Sequence, residues 1–183
     1  YQGPGYIAAF VTFQDLPRLS ARYNMAEVYL DQVYAYYCWT GDKDLLRQLY
    51  PTIRDFLAWE RDTLDPDGDG LYENHINTWI SDGHWYCGGP GAQASAYMYR
   101  AHLLAAEAAK AAGQPPEPYL HRAEEIKLAM NRDLWLAEKG YYAEYRELLG
   151  EQRLHDAAEL PTIYTPADCG VTSPFQTYQS LRY

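Results

Sequence analysis

Two helical patterns of unequal amphipathicity, joined by a glycine turn and then repeated, set the strongest limit on how this chain folds. From Asn24 to Trp39 apolar residues lie almost all round (Met25, Val28, Tyr29, Leu30, Val33, Tyr34, Tyr36, Tyr37), which predicts a helix buried on more than one side. Gly41-Asp42 stops it. Leu45, Leu49, Ile53, Phe56 and Glu60 then follow at helical spacing among charged residues, a one-sided stripe that predicts an outer helix over Lys43–Thr63. The order recurs: an Ala-rich helix over Gln93–Ala112 with Tyr97, Met98, Leu103 and Leu104, a stop at Gly113, a break at Pro115-Pro116, and an amphipathic helix over Pro118–Leu134 carrying Ala123, Ile126, Met130 and Leu134. Gly41 and Gly113 lie 72 residues apart, and Gly70-Leu71-Tyr72-Glu73 is echoed by Gly140-Tyr141-Tyr142-Ala143-Glu144.

A hairpin of one buried and one amphipathic helix cannot cover its own apolar surface, so it must stack on neighbours or close into a ring. The expected fold is therefore all-α: an α/α toroid of which about two and a half helical hairpins are present, with Asn24–Trp39 and Gln93–Ala112 as neighbouring, roughly parallel inner helices. Pro174–Tyr183 reads as the opening turns of a third inner helix, cut short. Residues 1–183 then form a single partial domain whose first partners are its own remaining hairpins. The opening Tyr1-Gln2-Gly3-Pro4-Gly5, without Met or leader, fits a piece of a longer chain and leaves localisation open.

At 183 residues, 48% hydrophobic and 15% aromatic, the chain can bury a substantial core. A net charge of -10 with no basic run longer than two residues argues against nucleic acid or an anionic membrane as partner. The apolar stretch Val28–Trp39 is interrupted by Asp31 and Gln32 and is shorter than the ~20 residues of a membrane span, so the sequence reads as soluble. Cys38, Cys87 and Cys169 have no metal-ligand spacing and read as buried thiols.

In a ring of hairpins the short turns, at Gly41-Asp42 and Gly113 to Pro118, share one end. The long connections, 1–23, 64–92 and 135–173, share the other, and long loops in compact domains are the usual carriers of function. Short β-hairpins are expected at this face, with Gly140–Tyr145, Arg153–His155 and Thr162–Tyr164 as strands. Thr165 to Gly170 then return the chain to an inner helix, with Asp168 on the working face as a base, a hydroxyl ligand or only a turn cap.

The second connection carries Asp65-Pro66-Asp67-Gly68-Asp69-Gly70-Leu71, then Glu73-Asn74, then Asn77-Thr78-Trp79, and finally Tyr86-Cys87-Gly88-Gly89 ahead of the Ala-rich helix. Here the chain resembles the six-hairpin glycosidases, in particular the glucosylceramidase-like β-glucosidases and the glycogen-debranching amylo-α-1,6-glucosidases. The resemblance covers about residues 24–147 and implies an (α/α)6 barrel that hydrolyses glycosidic bonds with two carboxyl groups. Where the β-glucosidases have Asp-Thr-Trp with Asp as the acid, this chain has Asn77-Thr78-Trp79, and an amide delivers no proton at neutral pH. The debranching enzymes place an Asp shortly after the Trp, which assigns the acid to Asp82, with Glu73 second.

Trp79, His84, Trp85 and Tyr86 would raise the pKa of Asp82 by walling it off from water, although Ser81-Asp82-Gly83 also reads as a turn. Trp79, Trp85 and Tyr86 suit a sugar platform or packing beneath the rim. His84, Asn77 and Arg22, the last at the start of an inner helix, complete the candidate sugar contacts. Asp65, Asp67, Asp69, the carbonyl of Leu71 and Glu73 alternate as oxygen ligands for a hard cation such as Ca2+, and the same Asp-Gly pairs form turns unaided. No cofactor is required by this chemistry. The function that follows is a glycosidase acting on carbohydrate, and the alternative is a catalytically silent toroid that binds sugar or serves as a scaffold.

Overall fold

In the computed structural model the Gly41-Asp42 pair ends one helix and begins the next. Gly41 adopts φ 67° and donates its N–H to Tyr37 O at 2.8 Å, while the Asp42 carboxylate accepts the Leu45 N–H at 2.9 Å as an N-cap. The structure describes residues 5–7, 25–73, 76–78, 84–86 and 88–183, with the backbone alone for the segments 76–78 and 84–86. The order is α1 (Met25–Thr40), α2 (Lys43–Leu64), β1 (Ile76–Thr78), β2 (His84–Tyr86), α3 (Ala92–Ala111), α4 (Glu117–Asp133), β3 (Trp135–Leu136), β4 (Tyr141–Tyr142), β5 (Tyr145–Arg146), β6 (Leu154–His155), α5 (Leu160–Cys169) and α6 (Pro174–Ser180). All four helices expected from the repeat are present within one residue of their expected bounds.

α3 is the centre of the assembly and packs against α1, α2, α4 and α5. Its small side chains allow that approach on every side: Ala92, Ala94, Ala96, Ala101, Ala105, Ala106, Ala108 and Ala109 are all buried. The stripe residues Leu46, Ile53, Phe56, Leu57 and Leu64 of α2, and Ala123, Ile126, Ala129 and Met130 of α4, close the core from outside. Over 26–40, α1 buries Ala26, Glu27, Leu30 and Val33, leaving Tyr29, Tyr36 and the 90% exposed Trp39 uncovered by the described residues.

Two expectations are corrected. Thr162–Tyr164 lies in helix α5 and not in a strand, because Pro161 at the first turn pre-sets helical φ and burial of Thr162 and Thr165 outweighs their strand preference. α5, and not Pro174–Tyr183, is the third inner helix. It packs on α3 as α1 does, and it ends at Gly170 with φ 84°, in the place that Gly41 and Gly113 hold in the earlier hairpins. α6 starts after that short turn with a capping box of Ser173 and Gln176, and so holds the outer position. The third long connection therefore ends at Glu159, and Gly113 and Gly170 lie 57 residues apart instead of 72.

The strands form three separate antiparallel ribbons, β1 with β2, β3 with β4, and β5 with β6, all at the long-connection end. Among the described residues no helix is long and apolar enough to cross a membrane.

Candidate functional site

The second and third connections are laced together by main chain where α3 begins. Gly91 N donates to Tyr72 O, Ala92 N to Glu144 O, Arg146 N to Pro90 O and Leu148 N to Gly88 O, each at 3.0 Å. Gly89 permits this approach: a Cβ there would stand 2.1 Å from Arg146 O. Tyr72 N adds a bond to Ser95 Oγ at 2.9 Å, which fixes the second connection to the first turn of α3.

Downstream of that anchor, β1 and β2 pair Ile76 with Tyr86, Asn77 with Trp85 and Thr78 with His84. Four expected sugar contacts, Asn77, His84, Trp85 and Tyr86, thus share one ribbon at the long-connection end. Asp82 and Trp79 fall in the joining segment 79–83, and they and Arg22 lie outside the described residues.

Upstream, Asp65, Asp67 and Asp69 each bring one carboxylate oxygen within 4.8 Å of the others. The turn is built by its own aspartates: Asp69 accepts the Leu71 N–H at 2.8 Å and Gly68 N donates to Asp65 O at 3.2 Å. Two of the three carboxylates hold arginines, Asp65 with Arg122 and Asp69 with Arg146 at 2.7 Å. Asp65 is buried, its Oδ1 has no hydrogen-bond partner among the described residues, and burial pushes its pKa up to about 6 in spite of the guanidinium. Glu73 and the carbonyl of Leu71 belong to the same stretch, but Glu73 is not among the carboxylates that converge. Its carboxyl is buried, and burial first, then the charges of Asp67, Asp69 and Asp65, raise its pKa above the usual range. That is the shift a proton donor needs.

Asp168 stands in the last turn of α5, an inner helix, and not on a long connection. Its carboxylate accepts from Arg100 at 2.8 Å, and Arg100 reaches Asp31 of α1 at 2.6 Å and lies 5.5 Å over the Tyr34 ring. One guanidinium therefore ties the three inner helices together.

A pair that the sequence reading did not single out lies between α1 and α2. Glu27, in the first turn of α1, and Glu60, near the end of α2, are each 2% exposed. Burial raises both pKa values, that of Glu60 to about 8, and the charge of Glu60 raises Glu27 further. The signal was present: Glu60 occupies a stripe position of the outer helix, and Glu27 interrupts an otherwise apolar inner one. Gln93, in the first turn of α3, is likewise buried, and neither of its amide atoms has a hydrogen-bond partner among the described residues.

Comparison with known proteins agrees with this arrangement. The model of the bacterial alpha-L-rhamnosidase six-hairpin glycosidase domain matches residues 18–156. A GH78-family rhamnosidase of Bacillus sp. GL1 superposes with a TM-score of 0.68 at 18% identity, over 87% of this chain and 17% of that one. A rhamnosidase from Klebsiella oxytoca with rhamnose bound superposes with a TM-score of 0.67 at 18% identity, over 97% of this chain and 33% of that one. This chain thus spans a third or less of the solved relatives' length. No curated protein matches. The likeness to six-hairpin glycosidases holds, and the branch whose model matches is that of the rhamnosidases. Inner and outer helices alternating around Gly41, Gly113 and Gly170, ribbons gathered at the opposite end, and a family match over most of the chain lead to one conclusion: this chain belongs to the bacterial α-L-rhamnosidase six-hairpin glycosidase domain family.

Proposed function

We propose that the chain is part of the catalytic domain of a glycoside hydrolase that cleaves a terminal α-L-rhamnoside, and that the acid it supplies comes from the second connection. The observation that carries this reading is the family match over residues 18–156, whose centre is that connection. Asp82 is the first choice for proton donor, being the carboxyl nearest Trp79 on a segment bracketed by the β1–β2 ribbon. Glu73, with its pKa raised by burial and by three neighbouring aspartates, is the second. Asn77, Trp79, His84, Trp85, Tyr86 and Arg22 would hold the sugar around the acid. The exposed flanks of α1 and α6, marked by Trp39 and Phe175, would be covered by further hairpins of the same ring, which would bring the second carboxyl.

The test is kinetic, in the intact protein. Asp82→Asn should lower kcat on rhamnosides with poor leaving groups by about 10²–10⁴-fold while sparing activated aryl rhamnosides. If Asp82→Asn leaves turnover unchanged and Glu73→Gln abolishes it, the acid is Glu73. If the intact protein binds rhamnosides and turns over none, the silent toroid is correct, which Asn77 at the expected acid position favours.

A further inference from the structure

Between the outer helices α2 and α4, away from the connections, the described residues line an open groove of ≈ 390 Å³, within the ~300–1,000 Å³ range of small-molecule sites. His102 of α3 lies at its floor; Arg54 and Arg61 of α2 and Tyr119, Arg122 and Glu125 of α4 form its walls. We propose that this groove is a second carbohydrate site, on the outer wall of the domain, that binds a neutral sugar residue of an oligosaccharide.

The chemistry of the lining selects that ligand. His102 Nδ1 stands 2.8 Å from Met98 O, and since a carbonyl has no proton to give, the ring proton sits on Nδ1 and Nε2 is left as an acceptor. Burial depresses the ring's pKa to about 4, so this acceptor persists at neutral pH. The floor therefore offers a lone pair while the arginine walls offer N–H donors, and Glu125 adds an acceptor. A hydroxyl gives and takes a hydrogen bond at once, and a sugar presents several of them.

A polyanion fits less well. Arg54 holds Asp55 at 2.8 Å, Arg61 holds Asp62 at 3.0 Å, and Arg122 holds both Asp65 and Glu125. The three guanidiniums are thus already paired with four carboxylates, of which Glu125 lines the groove itself, and no net positive charge is left to draw an anion. The Arg54 and Arg61 pairs are exposed contacts between sequence neighbours, of small net worth, so either guanidinium can turn to a ligand at little cost. Tyr119, held against Tyr50 by a hydroxyl contact of 3.1 Å, supplies a fixed aromatic wall. Arg61 also borders a second depression of ≈ 380 Å³ beside Asp65, Pro66, Asp67 and Gly68, which extends the groove toward the long-connection end. This site does not depend on whether the mouth is catalytically competent.

The probe is L-rhamnose, read by long-range proton–nitrogen NMR of the histidine rings in the intact protein, with inorganic sulfate as the anionic comparison. The expected result is a saturable shift of the His102 Nε2 signal with millimolar rhamnose. Arg61→Ala and Glu125→Gln, both at exposed or half-exposed positions, should each weaken that response by about tenfold while leaving kcat on aryl rhamnosides unchanged. Movement of the His102 signal by sulfate and not by rhamnose would make this an anion site and overturn the proposal. So would an unmoved signal with both probes, or an unchanged rhamnose response in both variants. Loss of turnover with the His102 response intact would count against the catalytic reading alone.

Discussion

Glu27 and Glu60 are two buried carboxyls within electrostatic reach of one another across the α1–α2 hairpin, and three of their four oxygens have no hydrogen-bond partner among the described residues. Ionising either one places a charge in a low-dielectric interior beside a like neighbour. Their folded pKa values lie above the unfolded ones, so the stability they contribute is fully present below about 4.5 and is lost as pH rises through about 8. Thermal unfolding between pH 5 and 9 should show a falling Tm over that window. Glu60→Gln should flatten the slope and add about 1–2 kcal/mol at the alkaline end; an unchanged slope would mean that the pair is not protonated in the fold. His102 acts in the opposite sense. Its folded pKa is depressed to about 4, so its contribution is present above the unfolded value of 6.5 and is lost as pH falls through 4.

Arg100 joins α1, α3 and α5 through Asp31 and Asp168. Arg100→Met should cost roughly 1–3 kcal/mol in urea denaturation, because Asp31 loses its charged donor at a half-buried site while Asp168 stays in water. Asp168→Asn should cost less than about 1 kcal/mol, since its side chain is 68% exposed. A kcat loss of about 10²-fold or more in Asp168→Asn, at unchanged stability, would instead place that carboxylate at the chemistry.

Calcium at the Asp65–Asp67–Asp69 turn has to compete with Arg122 and Arg146 for the same oxygens. Wild-type Tm should respond weakly to added Ca2+ or to chelation. Arg146→Met frees Asp69 and should raise calcium affinity by about tenfold, measured as the Ca2+ concentration that half-saturates the Tm increase. Equal response in the two proteins would show that the arginine does not occupy the ligand oxygens.

Gly89 has no room for a side chain beneath Arg146 O. Gly89→Ala should therefore push β5 off the second connection at a cost of about 1–3 kcal/mol, visible as faster hydrogen exchange at Arg146 and Leu148, whose N–H groups bond Pro90 and Gly88. Unaltered protection of those two amides would contradict the lacing.

The four long helices were legible because each carries its own period and stop: the Val28–Tyr37 run, the Leu45–Phe56 stripe, and the glycines at 41 and 113. α5 was not, because Thr162, Ile163 and Tyr164 have strand preferences and only packing against α3 makes them helical. The same miss displaced Asp168 onto a connection and cast Pro174–Tyr183 as an inner helix. In the candidate site the β1–β2 ribbon was not expected, since strands of three residues carry too short a period to show, whereas the aspartate turn could be read from its Asp-Gly spacing. The arginines at Asp65 and Asp69 could not, since Arg122 and Arg146 come from 57 and 77 residues away in sequence.

The lacing at the start of α3 uses peptide groups from Tyr72, Gly88, Pro90, Gly91, Ala92, Glu144, Arg146 and Leu148, and no side chain takes part in those four bonds. Main-chain bonds form whatever residues flank them, so the rim of the domain can be re-upholstered while its frame stays put. In that seam Gly89 is fixed by sterics, within 3 Å of backbone on the facing strand. Substitutions along 145–155 or on the ribbon can therefore accumulate without a matching change in the helical wall that carries them.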